Sequence, residues 1–73
     1  MARPFDELTK ALGQPVLVRL KGDKVVRGVL ASFDVHLNVI LENAEELDGT
    51  EQTVKEKYPK VMVRGDNIIF IAL

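Results

Sequence analysis

Seventy-three residues leave room for one domain and for only a modest core. The chain has no cysteine, which excludes disulfides and zinc–thiolate sites, so association is the remaining way to reinforce so small a fold. A formal net charge of −1 argues against the broadly basic surface that duplex DNA requires.

The first element read along the chain is a short helix within residues 3–13, "RPFDELTKALG". Pro4 suits a first turn, Asp6 and Glu7 sit at the positive end of the helix dipole, and Phe5, Leu8, Ala11 and Leu12 repeat on one face. Gly13 and Pro15 stop it. From there the apolar period changes to two. "VLVRLK" (16–21) reads as a first strand with Val16, Val18 and Leu20 on one face, and "GD" at 22–23 as a hairpin turn. A second strand spans 24–33, with Val26 and Leu30 flanking Gly28, a glycine that signals a sharp bend. A third is expected over 36–47 with Leu37, Val39 and Leu41 inward, then a turn at Asp48–Gly49.

Residues 51–64 read as a fourth strand, with Pro59 marking an edge, bulge or bend. "GD" at 65–66 is a last tight turn, and 67–73 the fifth strand, apolar on both faces. So small a domain cannot cover both faces of that strand itself, which points to a neighbouring subunit. The architecture expected is mainly β: one helix, then a strongly bent five-stranded antiparallel sheet over 15–73, an SH3-like or OB-like small barrel. No apolar run is long enough for a membrane span and no signal-peptide core precedes the helix, so a cytoplasmic protein is expected.

The stretch "DVHLN" (34–38) interrupts this apolar pattern with the only histidine in the chain. In extended backbone, Asp34, His36 and Asn38 would share one face. Such a constellation needs either a satisfied hydrogen-bond network or a ligand. Ser32, Asp34 and His36 hold the inventory of a catalytic triad, but the order is wrong for a histidine bridging the other two. One histidine and a neighbouring carboxylate are too few for a metal site. No catalysis, metal or cofactor is expected. A peptide-binding SH3-like module is one reading of such a scaffold, but its grooves are aromatic-lined, and three Phe, one Tyr and no Trp supply few candidates.

"VRLKGDKVVRGVLASFDVHLNVILENAEE" followed by "VMVRGDNIIFI" resembles the two blocks of the Sm and Sm-like (Lsm) proteins, most closely their archaeal members. The resemblance covers nearly the whole chain. It implies the Sm fold and a homo-oligomeric ring, usually heptameric, in which the fourth strand of one subunit pairs with the fifth of the next. It also implies binding of single-stranded uridine-rich RNA at the central pore, in RNA processing or as a ribonucleoprotein scaffold, alongside RNA-processing proteins. In such proteins His36 and Arg64 would stack on the base and Asn38 would bond its edge. Asp66 would orient Asn38, Asp34 would support the loop, and Gly65 belongs to the same turn. In some relatives the helix face also contacts RNA, which would make Arg3 and Lys10 candidates for a second RNA surface; two isolated basic residues are otherwise ordinary solvated charge.

Overall fold

The computed structural model describes residues 3–50 and 53–73. A helix, α1 (Pro4–Ala11), precedes β1 (Pro15–Leu20), β2 (Lys24–Phe33), β3 (Val39–Asp48) and β4 (Val54–Val63); a 3₁₀ turn (Gly65–Asn67) leads into β5 (Ile68–Ala72). The helix is shorter than the expected 3–13, because Leu12 already leaves helical backbone and Gly13 turns at φ 80°. Gly13 N–H then donates to the Leu30 carbonyl (2.8 Å), and Leu30 N–H donates to the Gln14 carbonyl (3.0 Å). These bonds stitch the helix exit to β2, so that Leu8 and Ala11 cover one end of the core. Phe5 stacks on Phe33, with ring centroids 6.0 Å apart.

All strand pairs are antiparallel, in the order β4-β3-β2-β1-β5. The connection between the two outer strands dictates the curvature. Four inter-strand gaps in a flat sheet would separate β4 from β5 by about 19 Å. Five residue steps reach at most about 17 Å when fully extended. From Val63 to Ile68 three of the intervening residues are coiled into the 3₁₀ turn, so the sheet has to curl into a small barrel. Leu30, Leu41, Val18 and Val39 fill its centre with essentially no exposure.

The bend has a specific origin. Leu41 and Ala44 are both buried although they lie three residues apart, and across β4 Val61 and Tyr58 repeat that spacing against the core. The extra residues are Asn43, at φ 51°, and Pro59, which stand between the Glu42–Lys60 and Ala44–Tyr58 pairs. On β2 the single residue facing this bulge is Gly28, where an added Cβ would lie 3.0 Å from the Glu42 carbonyl oxygen and 3.1 Å from Ala44 Cα. A side chain there would force the neighbouring backbone to give by a few tenths of an ångström, so glycine suits this close approach.

β4 lies inside the expected 51–64 but is shorter, since Thr53 and Arg64 fall outside the strand. Pro59 lies in an outer strand at a bulge, while Glu51 and Gln52 lie outside the described residues. The third strand is corrected. It begins at Val39 rather than residue 36, and Leu37, expected inward, is 40% exposed with φ 61°. β5 presents Ile68 and Ile71 to the core and leaves Ile69 and Phe70 exposed, as is Leu73 just beyond it.

The candidate nucleic-acid interface

Residues 34–38 form a closed loop instead of extended backbone, and the cause is one carboxylate. Asp34 Oδ1 accepts from the backbone N–H of His36 (2.9 Å) and of Asn38 (3.1 Å), while Oδ2 accepts from Asn38 Nδ2 (3.0 Å). Asp34 N–H donates to the Asn38 carbonyl (3.1 Å), and Leu37 N–H donates to the Asp34 carbonyl (3.0 Å). A carboxylate is an acceptor only, so each of these N–H groups favours its ionised form. The Asn38 amide contributes most to holding the Asp34 pKa below its ordinary value, against the opposing effect of partial desolvation. Asp34, His36 and Asn38 therefore do not share a strand face; they are grouped by a side-chain-capped turn.

The second loop is tied to the first through Asn38. Gly65 N–H donates to Asn38 Oδ1 at 2.8 Å, a bond spanning 27 residues of sequence. The approach is so close that a Cβ on Gly65 would collide with the His36 carbonyl oxygen and stand 3.0 Å from the Leu37 carbonyl. Arg64, the residue before, therefore leaves the same junction as His36, and both side chains are exposed. Arg64 Nη2 pairs with Asp66 Oδ2 at 3.0 Å. The orienting role that the resemblance gave to Asp66 falls instead to Asp34 and the Gly65 amide, and Asp66 holds the Arg64 guanidinium. The conformation of Asn38 is thus fixed at both ends of its amide. One Nδ2 hydrogen and one lone pair of Oδ1 remain for a ligand.

This grouping offers two planar groups, an imidazole and a guanidinium, beside a carboxamide with one donor and one acceptor to give. Such a set suits a single unpaired base, stacked and read on its edge. It does not suit a triad: the bond between His36 and Asp34 runs from the His36 backbone N–H to Asp34 Oδ1, not from the ring. Elsewhere the lysines of β4 are matched by acids of β3, Lys55 to Asp48 (3.5 Å), Lys57 to Glu45 (3.8 Å) and Lys60 to Glu42 (4.0 Å). That face is a ladder of cross-strand ion pairs rather than a basic platform. Arg3 and Lys10, expected as a second RNA surface, are both exposed, and Lys10 pairs with Glu7 at 3.8 Å.

Asp34, His36, Asn38, Arg64, Gly65 and Asp66, singled out in the sequence, are brought together here, whereas the part played by Leu37 was not foreseen. Its left-handed backbone lets the loop close, and its type gives no such signal.

Comparison with known proteins supplies a family for this geometry. The LSM domain model matches residues 6–73. An snRNP Sm-like protein of Methanosarcina barkeri is 47% identical over 70 residues, covering 96% of this chain and 94% of the relative. An snRNP Sm-like protein of Pyrococcus furiosus is also 47% identical over 70 residues, with 96% and 90% covered. Among solved structures, the Sm protein of Pyrococcus abyssii in complex with a uridine heptamer superposes with a TM-score of 0.91 at 39% identity, covering 97% of both chains. A heptameric archaeal Sm protein superposes at 0.79 with 43% identity, covering 90% of this chain and 93% of that one.

Proposed function

The chain belongs to the LSM-domain family, among the archaeal Sm-like proteins, and from that premise we propose that it forms a ring that binds single-stranded uridine-rich RNA around its pore. The Gly65–Asn38 bond carries the reading, because it joins the two loops into one slot. His36 and Arg64 stack on the base, and the free donor and acceptor of Asn38 meet the carbonyl and imide N–H of uracil. Cytosine presents a different pattern at that edge, and purines are larger.

The ring follows from the two outer strands. Among the described residues β4 and β5 each have one unpaired edge, and the exposed apolar residues include Met62 on β4 with Ile69 and Phe70 on β5. Edges of that kind pair or aggregate. β4 of one subunit adding to β5 of the next is a head-to-tail contact that closes into a ring when the rotation fits. The similar heptameric archaeal protein supports a heptamer.

Repeating the slot around a pore converts weak single-base contacts into strong binding of a strand, since each further nucleotide binds at high effective concentration. Stacking contributes about 1–3 kcal/mol per base. In this role the chain carries no reaction of its own; it serves RNA processing as a scaffold or chaperone.

The test is light scattering on the protein alone, then titration with oligo(U) and oligo(C) at one salt concentration. A single species several times the 8.1 kDa chain mass that prefers oligo(U) is expected. A stable monomer, or equal affinity for the two oligomers, overturns the reading.

A further inference from the structure

We infer that Leu37 is the positioning residue through which subunit packing sets the base slot, so that ring closure and uridine binding strengthen each other; the coupling rests on the ring-and-slot reading above. Leu37 belongs to two surfaces at once. Its backbone lies between His36 and Asn38, and its carbonyl packs under Gly65. Its side chain lines an apolar groove whose other walls include Leu8, Ile69, Phe70 and Leu73.

The floor of that groove is β5, which has no strand on its outer edge among the described residues. The occupant is the β4 edge of a second copy. It is the other unpaired edge of the same sheet, it carries the 62% exposed Met62, and the groove is lined by Ile68, Ile69, Phe70 and Ile71 of the strand it would join. Covering the groove therefore covers Leu37.

Backbone strain makes the contact consequential. A leucine at φ 61° is in a region that side chains with a Cβ rarely adopt, and such conformations persist only where the surroundings impose them. In the isolated subunit the Leu37 side chain is 40% exposed, so packing restrains it only partly. A neighbour that buries it adds to the restraint that the Asp34 bonds already place on the turn, and so tightens the junction of His36, Asn38 and Gly65. By linkage, whatever ring packing adds to uridine affinity, uridine adds to ring stability.

The experiment compares wild type with Leu37→Ala, Leu37→Met and Val35→Ala. Val35 lies in the same loop, is 76% exposed and does not line the groove. Native mass spectrometry over a dilution series, with and without a uridine heptamer, reads ring stability. Fluorescence anisotropy at concentrations where rings are intact reads uridine affinity. For Leu37→Ala we expect rings that dissociate at higher protein concentration, uridine affinity lowered by roughly 5-fold or more in intact rings, and a smaller stabilisation of the ring by uridine. Leu37→Met, which conserves volume, restores all three readouts, and Val35→Ala matches wild type. Leu37→Ala rings that bind uridine as tightly as wild type, or wild-type rings that uridine does not stabilise, overturn the coupling. A wild type that is monomeric or blind to uridine would instead defeat the ring-and-slot reading itself, and the wild-type arms reveal that separately.

Discussion

Substituting Gly65 by alanine tests whether the two loops meet as closely as the structure places them. The added methyl would collide with the His36 carbonyl oxygen, and the next nearest atoms, the carbonyl carbon and oxygen of Leu37, stand 3.0 Å away. All are backbone atoms of a loop that Asp34 closes, so no flexible side chain can give way. Overpacking of this kind costs about 1–3 kcal/mol. Displacing the turn also breaks the 2.8 Å bond from Gly65 to Asn38, at about 1 kcal/mol more. The total, about 2–4 kcal/mol, is a large part of the ~4–11 kcal/mol expected of so short a domain. A folded protein with a thermal midpoint lower by at least about 8 °C follows, measured at one protein concentration. Uridine affinity should fall at least about tenfold, since only about 1.4 kcal/mol of slot distortion is needed. Gly49→Ala is the control. Its methyl would collide with the Asp23 carbonyl oxygen in a hairpin away from the slot, so it should cost stability without changing uridine affinity in intact rings. A Gly65→Ala protein with wild-type melting and binding would refute the close junction. Equal loss of affinity in both variants would make the effect one of general stability.

Arg64→Ala should weaken binding to every single-stranded RNA and flatten its salt dependence, because a stacking plane and a cation are lost together; an unchanged salt slope would remove Arg64 from the contact. Asn38→Ala should lower oligo(C) binding as well as oligo(U), since it deletes the ties to Asp34 and Gly65 along with the edge reader; oligo(C) affinity equal to wild type would show that the amide does not organise the slot. Because the folded-state pKa of Asp34 is depressed, its contribution to stability is present above the ordinary carboxylate range and is lost as pH falls through the lowered value. The difference in melting temperature between wild type and Asp34→Asn should therefore hold from neutrality down to about pH 4 and vanish below it; a difference already lost near pH 6 would contradict the assignment. Phe70→Glu should leave the fold intact, because the new carboxylate faces Arg19 across β1, yet prevent ring closure; native mass should give an 8.1 kDa species with strand-rich circular dichroism, and an intact ring would refute the β5 edge as an interface.

Legibility in the sequence followed the range of the interactions. β2 runs from Lys24 to Phe33 as read, and the Gly22–Asp23 turn has both residues at positive φ, because local alternation and turn chemistry decide these. Gly28 and Pro59 marked the bend individually. That they flank one bulge with Asn43 depends on strand register, which no local pattern encodes. The loop at 34–38 misled for a similar reason. Alternating Asp, His and Asn look extended until a carboxylate captures two backbone N–H groups, and that capture also delays β3 and turns Leu37 outward. The residue types that the structure groups at 34–38 and 64–66 were readable in the sequence. Which of them hold Asn38 was not, because Asp34 lies in the same turn while the Gly65 amide arrives from the far end of the chain.

The most direct test of the uracil slot is photo-crosslinking of intact rings to a heptamer of 5-iodouridine, with adducts located by peptide mass spectrometry. The slot predicts adducts on His36 within the loop 34–38, abolished by competing oligo(U) and not by oligo(C). Adducts confined to Phe5, Tyr58 or Phe70, or competed equally by both oligomers, would contradict it.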